Sequence, residues 1–360
     1  MQNKYTVLER LGGGGQAEVF RGMSESLQGY KKAVAIKRVL PHLSNNERFV
    51  AMFLDEARLS LFLQHANVVQ VFAVSKADDG SYFLVMEFVD GCDLKELVAY
   101  HRAHRASDIG LALHIMIEAA KGLHYAHTLE HPYTGKPLHI VHRDVSPPNI
   151  MLSKNGEVKV VDFGLAKAQS QLENTDEGVV KGKFSYLSPE AASGHDVDAR
   201  ADVFALGIIT WELLANRRLF AADDPYATVQ LVREARIPSL PAISPNVSPD
   251  LDAIVRKALA RDPKVRFPTM AEYGDALADF MFSNEAKATA RDLAAAVREV
   301  KIARERAANP KESLVHALVV DELARMMSMI EDEVIAKPAE LTPAKELVDT
   351  TDWTKNLLDD

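Results

Sequence analysis

The stretch IVHRDVSPPNIML, residues 140–152, combines His, Arg, Asp, Ser, Asn and two Pro between short apolar runs. Loops carry binding and catalytic side chains more often than other segments do, although a proline-containing loop is commonly only a turn. Asp144 is the candidate working group of this loop. Asn149 follows five residues later, close enough for both side chains to reach one site.

A second polar group follows in VKVVDFGLA, residues 158–166. Asp162 comes directly after a β-rich run and precedes Phe-Gly. Carboxylate and amide oxygens are hard ligands that suit Mg²⁺, which takes one or two carboxylates together with substrate phosphates and water. Asn149 and Asp162 are therefore predicted metal ligands, with Asp144 beside them.

Two motifs near the N-terminus point to phosphate binding. In LGGGGQAEVF, residues 11–20, four glycines leave backbone N–H groups free to approach an anion. The AEVF that follows reads as a strand, which argues against a Walker loop and a Rossmann fingerprint because both need a helix there. In VAIK, Lys37 closes an apolar strand, and a helix glutamate, Glu56, could hold it as a fixed cation for phosphate oxygens. Taken singly, these motifs also fit a hairpin turn and an exposed strand lysine.

Composition limits the partners and the compartment. The 360 residues, 47% apolar and 26% charged, fit a soluble globular protein of two domains or one large two-lobed domain. A formal charge of −9 argues against nucleic acid or an anionic membrane as the main partner. One cysteine, Cys92, excludes an internal disulfide framework and fits a reducing compartment. With no signal core and no long apolar run, we expect a cytoplasmic chain without a membrane span.

The hydrophobic pattern changes twice along the chain. The first ninety residues read as β-rich with one helix, and the pattern becomes mostly helical from about Asp93. From about Ser283 the composition shifts to Ala, Glu, Lys and Arg. We therefore predict three parts, residues 1–90, 91–282 and 283–360.

Taken together, these motifs resemble a protein kinase of the bacterial, eukaryotic-like (Hanks-type) serine/threonine branch. The resemblance covers roughly residues 5–282 and rests on parts in family order: the glycine loop, VAIK, helix Glu56, the hinge MEFVDG, His142-Arg143-Asp144, Asn149, Asp162-Phe163-Gly164, Ser188-Pro189-Glu190 and Arg266, which would pair with Glu190. It implies an α+β, two-lobed kinase fold with a β-rich N-lobe, a helical C-lobe and a C-terminal helical extension.

The resemblance also implies roles. Lys37, paired with Glu56, would hold the α and β phosphates of ATP, and Asp144 would accept the proton of a protein hydroxyl. Asn149 and Asp162 would hold Mg²⁺, with Mn²⁺ as an alternative. Adenine would bind the backbone of Glu87 and Val89 beside Met86 as gatekeeper. The remaining nucleotide contacts would be Leu11, Gly12, Gly13, Gly14, Gly15, Val19 and Ala35. Pro147 and the segment before Pro189-Glu190 favour serine or threonine as the acceptor.

One departure from the family pattern bears on activity. Serine/threonine kinases carry a lysine two residues after the catalytic aspartate, where this chain has Ser146, and a threonine where this chain has Lys183. Because the two positions face each other in the family fold, our hypothesis is that Lys183 supplies the missing cation. Alternatively, Lys183 is an exposed loop lysine and Ser146 a simple loss. In that case the chain could be a pseudokinase, an ATP-binding scaffold that acts through protein interaction. Ala17 and Ser188 are milder departures.

Regulation, zinc binding and the role of the extension are each open to two interpretations. Arg143 seeks an anion, which could be phosphorylated Thr175 or an acidic residue already present in the same segment. HTLEH, residues 127–131, matches an inverted zinc-protease motif, but it falls at a predicted helix end before the catalytic loop. In the extension, Leu293, Val297 and Val300 form an apolar stripe. Such a stripe favours packing within the chain over a regulatory partner or a dimer contact.

Overall fold

The computed structural model describes residues 4–14, 17–25, 29–77, 79–104, 108–163 and 184–308, with the side chains of Lys4 and Glu56 outside the description. The chain divides into two compact units, Met1–Ile302 and Ala303–Asp360. Within the described ranges, no helix has the length and apolarity needed to cross a bilayer.

The N-terminal strands form one antiparallel sheet. Its order along the sheet is β1-β2-β3-β5-β4. The strands are β1 Lys4–Gly13, β2 Ala17–Glu25, β3 Lys31–Val39, β4 Val71–Lys76 and β5 Tyr82–Glu87. The predicted β-rich character of the first ninety residues is thus confirmed, because the β-branched and aromatic residues of these segments suit the extended backbone of a sheet.

The predicted helix beside this sheet is present. Helix α1 spans Pro41–Ser44 and α2 spans Glu47–Ser60. The Asn46 side chain caps α2 by accepting a hydrogen bond from the Phe49 N–H at 3.1 Å. Phe49, Phe53 and Ala57 are buried on the side of α2 that packs against the sheet. The sequence predicts an apolar stripe at helical spacing that consists of Val50, Phe53, Leu54, Ala57 and Leu61. The observed stripe is rotated slightly from it, since Phe49 is in the core and Leu61 is only partly buried.

The rest of the first unit is mainly helical. Its longer helices are α3 Leu94–His104, α4 Ile109–Thr128, α6 Arg200–Ala215, α7 Pro225–Glu234, α9 Pro249–Ala258 and α10 Met270–Ser283, with the short helices α5 Pro189–Ala192 and α8 Leu240–Ile243 between them. A further helix, α11 Ala290–Ala308, begins in this unit and ends beyond its last residue, Ile302. Helix α6 is buried on nearly every side, as its continuous apolar sequence predicts. It packs against α4, which in turn packs against α10.

A small second sheet joins the two lobes. It consists of β6 Gly91–Asp93, β7 Ile150–Ser153 and β8 Val158–Val160, in the order β6-β7-β8. The segment before β4 reaches it through hydrogen bonds from the Val69 N–H to the Val160 carbonyl and from the Val160 N–H to the Asn67 carbonyl, both 2.9 Å. The two-lobed α+β fold is confirmed, while the boundary after residue 90 stays a prediction.

The part of the extension that belongs to the first unit, up to residue 302, packs on the helical lobe. Leu293, Val297 and Val300 are 0%, 0% and 5% exposed and belong to the main hydrophobic core. The backbone of α11 comes so close to the turn between β7 and β8 that a Cβ on Gly156 would lie 1.8 Å from the Ala290 carbonyl oxygen. The prediction that this stripe packs within the chain is confirmed. Residues 309–360 lie outside the described ranges.

Candidate active site

A buried carboxylate binds the backbone of the loop that contains Asp144. Asp202, fully buried at the start of α6, accepts hydrogen bonds from the backbone N–H groups of His142 and Arg143 at 2.8 and 2.9 Å. The His127 ring is 2.7 Å from the same carboxylate. Burial alone would raise the pKa of Asp202, but the bonds with His127 and the nearby His142 hold that pKa below its usual value. The carboxylate therefore stays ionised and fixes the loop backbone.

Asp144 and Asn149 are brought together by a short turn of 3₁₀ helix. The turn spans Pro147–Asn149. The Asn149 Nδ2 donates to the Asp144 carbonyl at 2.8 Å and to the Asp144 Oδ2 at 3.2 Å. Because its nitrogen is used in this way, the Asn149 amide keeps Oδ1 as a potential metal ligand.

Asp162 is tied to the same loop through its neighbour in the chain. The Val161 N–H donates to the Asn149 carbonyl at 3.0 Å. The Asp144 N–H donates to His142 Nδ1, so His142 Nε2 carries the proton that it donates to the Val161 carbonyl at 2.8 Å. Asp162 has φ of 63°, a left-handed conformation that aspartate tolerates better than most residues. The predicted metal ligands, Asn149 and Asp162, are thus brought to one place.

Lys37 reaches this group from the opposite lobe. It lies on β3 between Val19 of β2 and Leu84 of β5. Its Nζ is 2.8 Å from the Asp162 Oδ1, and the two side chains are 12% and 30% exposed. The ammonium group is therefore fixed beside the predicted metal ligand. The side chain of Glu56 lies outside the described residues, so its predicted pairing with Lys37 stays a prediction.

The glycine motif forms the tip of the β1–β2 hairpin. Gly12 pairs with Val19, Gly13 pairs with Glu18, and the Gly14 N–H donates to the Ala17 carbonyl at 2.9 Å. A Cβ added to Gly12 or Gly14 would meet nothing within 4 Å. The open side of this turn leaves room for a ligand to approach the backbone. Leu11 is 47% exposed just before the turn, and Gly15 lies outside the described residues.

The segment predicted to bind adenine follows β5. Ala35 lies opposite Met86 in the sheet. The Glu87 N–H donates to the Gln70 carbonyl at 2.9 Å, so that donor is already used within the protein. Among the described residues, no group accepts a hydrogen bond from the Val89 N–H. That donor is therefore available to a ligand.

A pocket adjoins these residues. Its lining includes Lys37, Asp162 and Phe163, with mostly apolar side chains around them: Ala57, Ser60, Leu63, Val69, Val71, Leu84 and Met86. Fixed N–H donors, an ammonium group and oxygen ligands beside an apolar pocket suit a ligand with an apolar ring and an anionic end.

Comparison with known protein families indicates which ligand with an apolar ring and an anionic end this pocket binds. Residues 5–275 match the family described as protein kinase domain. The chain belongs to the protein kinase family. Protein kinases use ATP and a divalent metal ion. The family therefore accounts for the cation, the oxygen ligands and the apolar pocket together.

Bacterial kinases are among the relatives of this kinase domain. The tyrosine-protein kinase MasK of Myxococcus xanthus is 41% identical over 77% of this chain and 43% of its own length. The serine/threonine-protein kinase PknB of Mycolicibacterium smegmatis is 37% identical over 76% of this chain and 42% of its own length. This chain thus spans less than half the length of these two curated relatives. The crystal structure of the Mycobacterium tuberculosis PknI kinase domain is 27% identical, with a TM-score of 0.56, and covers 79% of this chain and 96% of that one.

One further prediction about the kinase domain is confirmed. Arg266 binds Glu190 through two hydrogen bonds of 2.7 Å, and the arginine side chain is fully buried.

The Lys183 and Thr175 hypotheses fall in residues 164–183, outside the described ranges. His127, the first histidine of the zinc-like motif, contacts Asp202 instead.

Sequence reasoning missed two residues of the kinase site. Asp202 was signalled only by its place near the start of a mostly apolar helix, RADVFALGIITWELLA. Lys159 on β8, 9% exposed, forms an ion pair of 2.9 Å with Glu87 of the hinge. Nothing in the sequence distinguishes Lys159 from a strand lysine that faces solvent.

Proposed function

We propose that this chain is an active protein kinase that transfers the γ-phosphoryl group of ATP, with Mg²⁺, to serine and threonine hydroxyls of protein substrates. The observation that carries the proposal is the continuous set of short contacts from Lys37 through Asp162 and Val161 to Asn149 and Asp144. In this arrangement a phosphate-binding cation, metal ligands and a base lie in one cleft.

The donor set fits a hard divalent ion. Asn149 offers an amide oxygen, and Asp162 offers the carboxylate oxygen that Lys37 does not occupy. Oxygen ligands of this kind suit Mg²⁺, and Mn²⁺ is the alternative. When bound, the ion neutralises charge that develops on the phosphate oxygens. Lys37, with its side chain mostly buried, would hold the α and β phosphates from the other side.

Asp144 would act on the acceptor. As the acceptor oxygen bonds to the γ-phosphorus and the bond to the bridging oxygen breaks, ADP leaves and the hydroxyl proton passes to the Asp144 carboxylate. The hydrogen bond from Asn149 and the backbone bond to His142 Nδ1 hold this carboxylate in place. The backbone of Glu87 and Val89 would bind adenine beside Met86, and Leu11, Val19, Ala35 and the glycine turn would cover the nucleotide.

The acceptor hydroxyl is a separate question, because the relatives are named differently. MasK is named a tyrosine-protein kinase, whereas PknB is named a serine/threonine-protein kinase. Pro147, buried at the start of the 3₁₀ turn, supports serine or threonine for this chain. Acid hydrolysis of the labelled product distinguishes the two, since we expect phosphoserine and phosphothreonine, and a predominance of phosphotyrosine would reject this part of the proposal.

The scaffold alternative rests on Ser146 alone. The test is transfer of label from [γ-³²P]ATP with Mg²⁺ to the chain itself and to casein. Asp144→Asn, which keeps the shape of the side chain, is the matched control. We expect transfer by the wild type and a loss of at least about 1,000-fold in the variant. Binding of ATP without any turnover by the wild type would favour the scaffold.

A cytoplasmic location, where ATP is present and the buried thiol of Cys92 stays reduced, is part of the same proposal.

A further inference from the structure

Asp90 attaches the hinge to the rest of the molecule. It follows Val89, the predicted adenine contact, by one residue. Its backbone carbonyl accepts a hydrogen bond of 2.7 Å from the Lys154 N–H at the end of β7. Its carboxylate binds the Lys154 Nζ at 2.8 Å and the Lys301 Nζ at 2.6 Å. The position of Asp90 is therefore set by two separate segments.

The second of these segments is α11, which lies beyond the residues that match the family. Val297 and Val300, one turn and one residue before Lys301, are buried in the main core. Their burial fixes the helix on the surface of the lobe, so the Lys301 ammonium is held near Asp90 by more than its own ion pair. The Lys301 side chain is only 25% exposed.

The cluster keeps its charge at neutral pH. The hydrogen bonds of Lys154 and Lys301 lower the pKa of Asp90 to about 2. The carboxylate is consequently ionised wherever the kinase operates, and both ammonium groups retain their partner.

We propose that Lys301 is a positioning residue for the nucleotide site: through Asp90, α11 fixes the hinge backbone that receives adenine. The inference rests on the proposed function, because it concerns the affinity of the same site for nucleotide. A backbone donor that is already in place at Val89 loses less conformational freedom on binding, and the affinity for nucleotide is higher. Partly exposed ion pairs are individually weak, so the effect expected from Lys301 is about threefold in Kd.

A purely structural role makes a different prediction. If Lys301 only stabilised the docking of α11, its removal would change the unfolding midpoint and leave the affinity of the folded protein for nucleotide unchanged. The affinity measured well below the unfolding transition therefore distinguishes the two roles.

The experiment is calorimetric titration of the full chain with ADP and Mg²⁺, since ADP binds without turnover. We expect Lys301→Ala to weaken ADP binding about threefold and Lys301→Arg, which keeps the charge, to restore most of it. Arg298→Ala is the matched control, because Arg298 is exposed on the same helix and has no ion pair with the described residues. It should bind ADP as the wild type does.

A second measurement tests whether bound nucleotide in turn stabilises the docking of α11. If α11 raises nucleotide affinity, bound nucleotide must stabilise the docked helix by the same factor. Saturating ADP should therefore slow amide hydrogen exchange in residues 293–302 of the wild type and do so less in Lys301→Ala. Wild-type affinity in Lys301→Ala, or an equal loss in Arg298→Ala, would overturn the inference. A wild type that does not bind ADP at all would reject the proposed function and the inference with it.

Discussion

Ser146 is a residue at which this kinase domain departs from the family pattern. It has extended backbone angles before the 3₁₀ turn, and its side chain makes no capping hydrogen bond. A hydroxyl at this place cannot neutralise phosphate charge as an ammonium group does. Activity therefore needs a cation from elsewhere, and our hypothesis remains that Lys183 provides it.

A kinetic cycle tests this exchange of residues. We expect Lys183→Ala to lower kcat at least about tenfold, and Ser146→Lys to recover much of that loss in the double variant, because a preorganised cation contributes a few kcal/mol to the transition state. Lys181→Ala, two residues away in the same segment, is the matched control and should change kcat little. A kcat for Lys183→Ala within about twofold of the wild type would refute the hypothesis.

In contrast to Ser146, where the cation of the family pattern is missing, Arg266 and Glu190 form a complete ion pair. Removing one member of a buried pair leaves the other uncompensated, so Arg266→Ala should lower the free energy of unfolding by about 3–5 kcal/mol. Arg256→Ala is the control, since Arg256 is 41% exposed and pairs with Asp252 within one helix. Its cost should stay below about 1 kcal/mol. Equal costs in chemical denaturation would contradict the assignment.

The same pair predicts a pH dependence. Burial would raise the pKa of Glu190, but the hydrogen bond and the charge of Arg266, together with hydrogen bonds from the Glu190 backbone and Ser188, lower it overall. A carboxyl whose pKa is lower in the folded state stabilises the protein above its ordinary pKa, and this contribution is lost as the pH falls through the folded value. Chemical denaturation from pH 7 to pH 3 should therefore show less loss of stability in Glu190→Gln than in the wild type. A parallel decline in both proteins would be evidence against it.

At the scale of elements, residues 290–302 of α11 belong to the same compact unit as the kinase domain, although they lie outside the family match. Three apolar side chains at helical spacing bury it, and the bare backbone of Gly156 permits the close approach of its first turn. Packing of this kind depends on side-chain volume, so it can be tested by shortening one residue at a time.

Leu293→Ala should cost about 2–5 kcal/mol, because it leaves a cavity at a fully buried position. Ile302→Ala is the control on the same helix, since Ile302 is 41% exposed. It should cost less than about 1 kcal/mol. The measurement is the midpoint and slope of urea unfolding for the full chain. Similar costs for the two variants would show that α11 is not held by this stripe.

At the scale of the whole molecule, the predictable residues are those whose chemistry demands one residue type. Lys37, Asp144, Asn149 and Asp162 could be proposed from the sequence because a phosphate cation, a base and metal ligands have few substitutes, and because their order in the chain is informative. Their roles stay predictions. The strands and α2 were predictable from periodicity, although Phe49 showed that the exact face of a helix depends on its neighbours.

Contacts between distant segments could not be predicted in the same way. Asp202 binds backbone N–H groups about 60 residues away, and backbone groups carry no sequence signal. Lys301 and Asp90 are 211 residues apart, and each alone resembles an ordinary surface charge. The two residues form an ion pair only because the packing of α11 on the core brings them together, and a single sequence does not show that packing.

The proposed site would take its cation from one lobe and its metal ligands from the other, so bound nucleotide should stabilise the folded molecule as a whole. At 100 times Kd, a ligand that binds only the folded state adds about 2.7 kcal/mol, which raises Tm by several degrees. We expect ADP with Mg²⁺ to give a larger rise than ADP with EDTA. Asp162→Asn should abolish that difference while keeping the metal-independent rise, whereas Asp250→Asn, at an exposed position, should keep both. Scanning calorimetry measures these shifts, and a metal-dependent rise that survives in Asp162→Asn would assign the metal to other ligands.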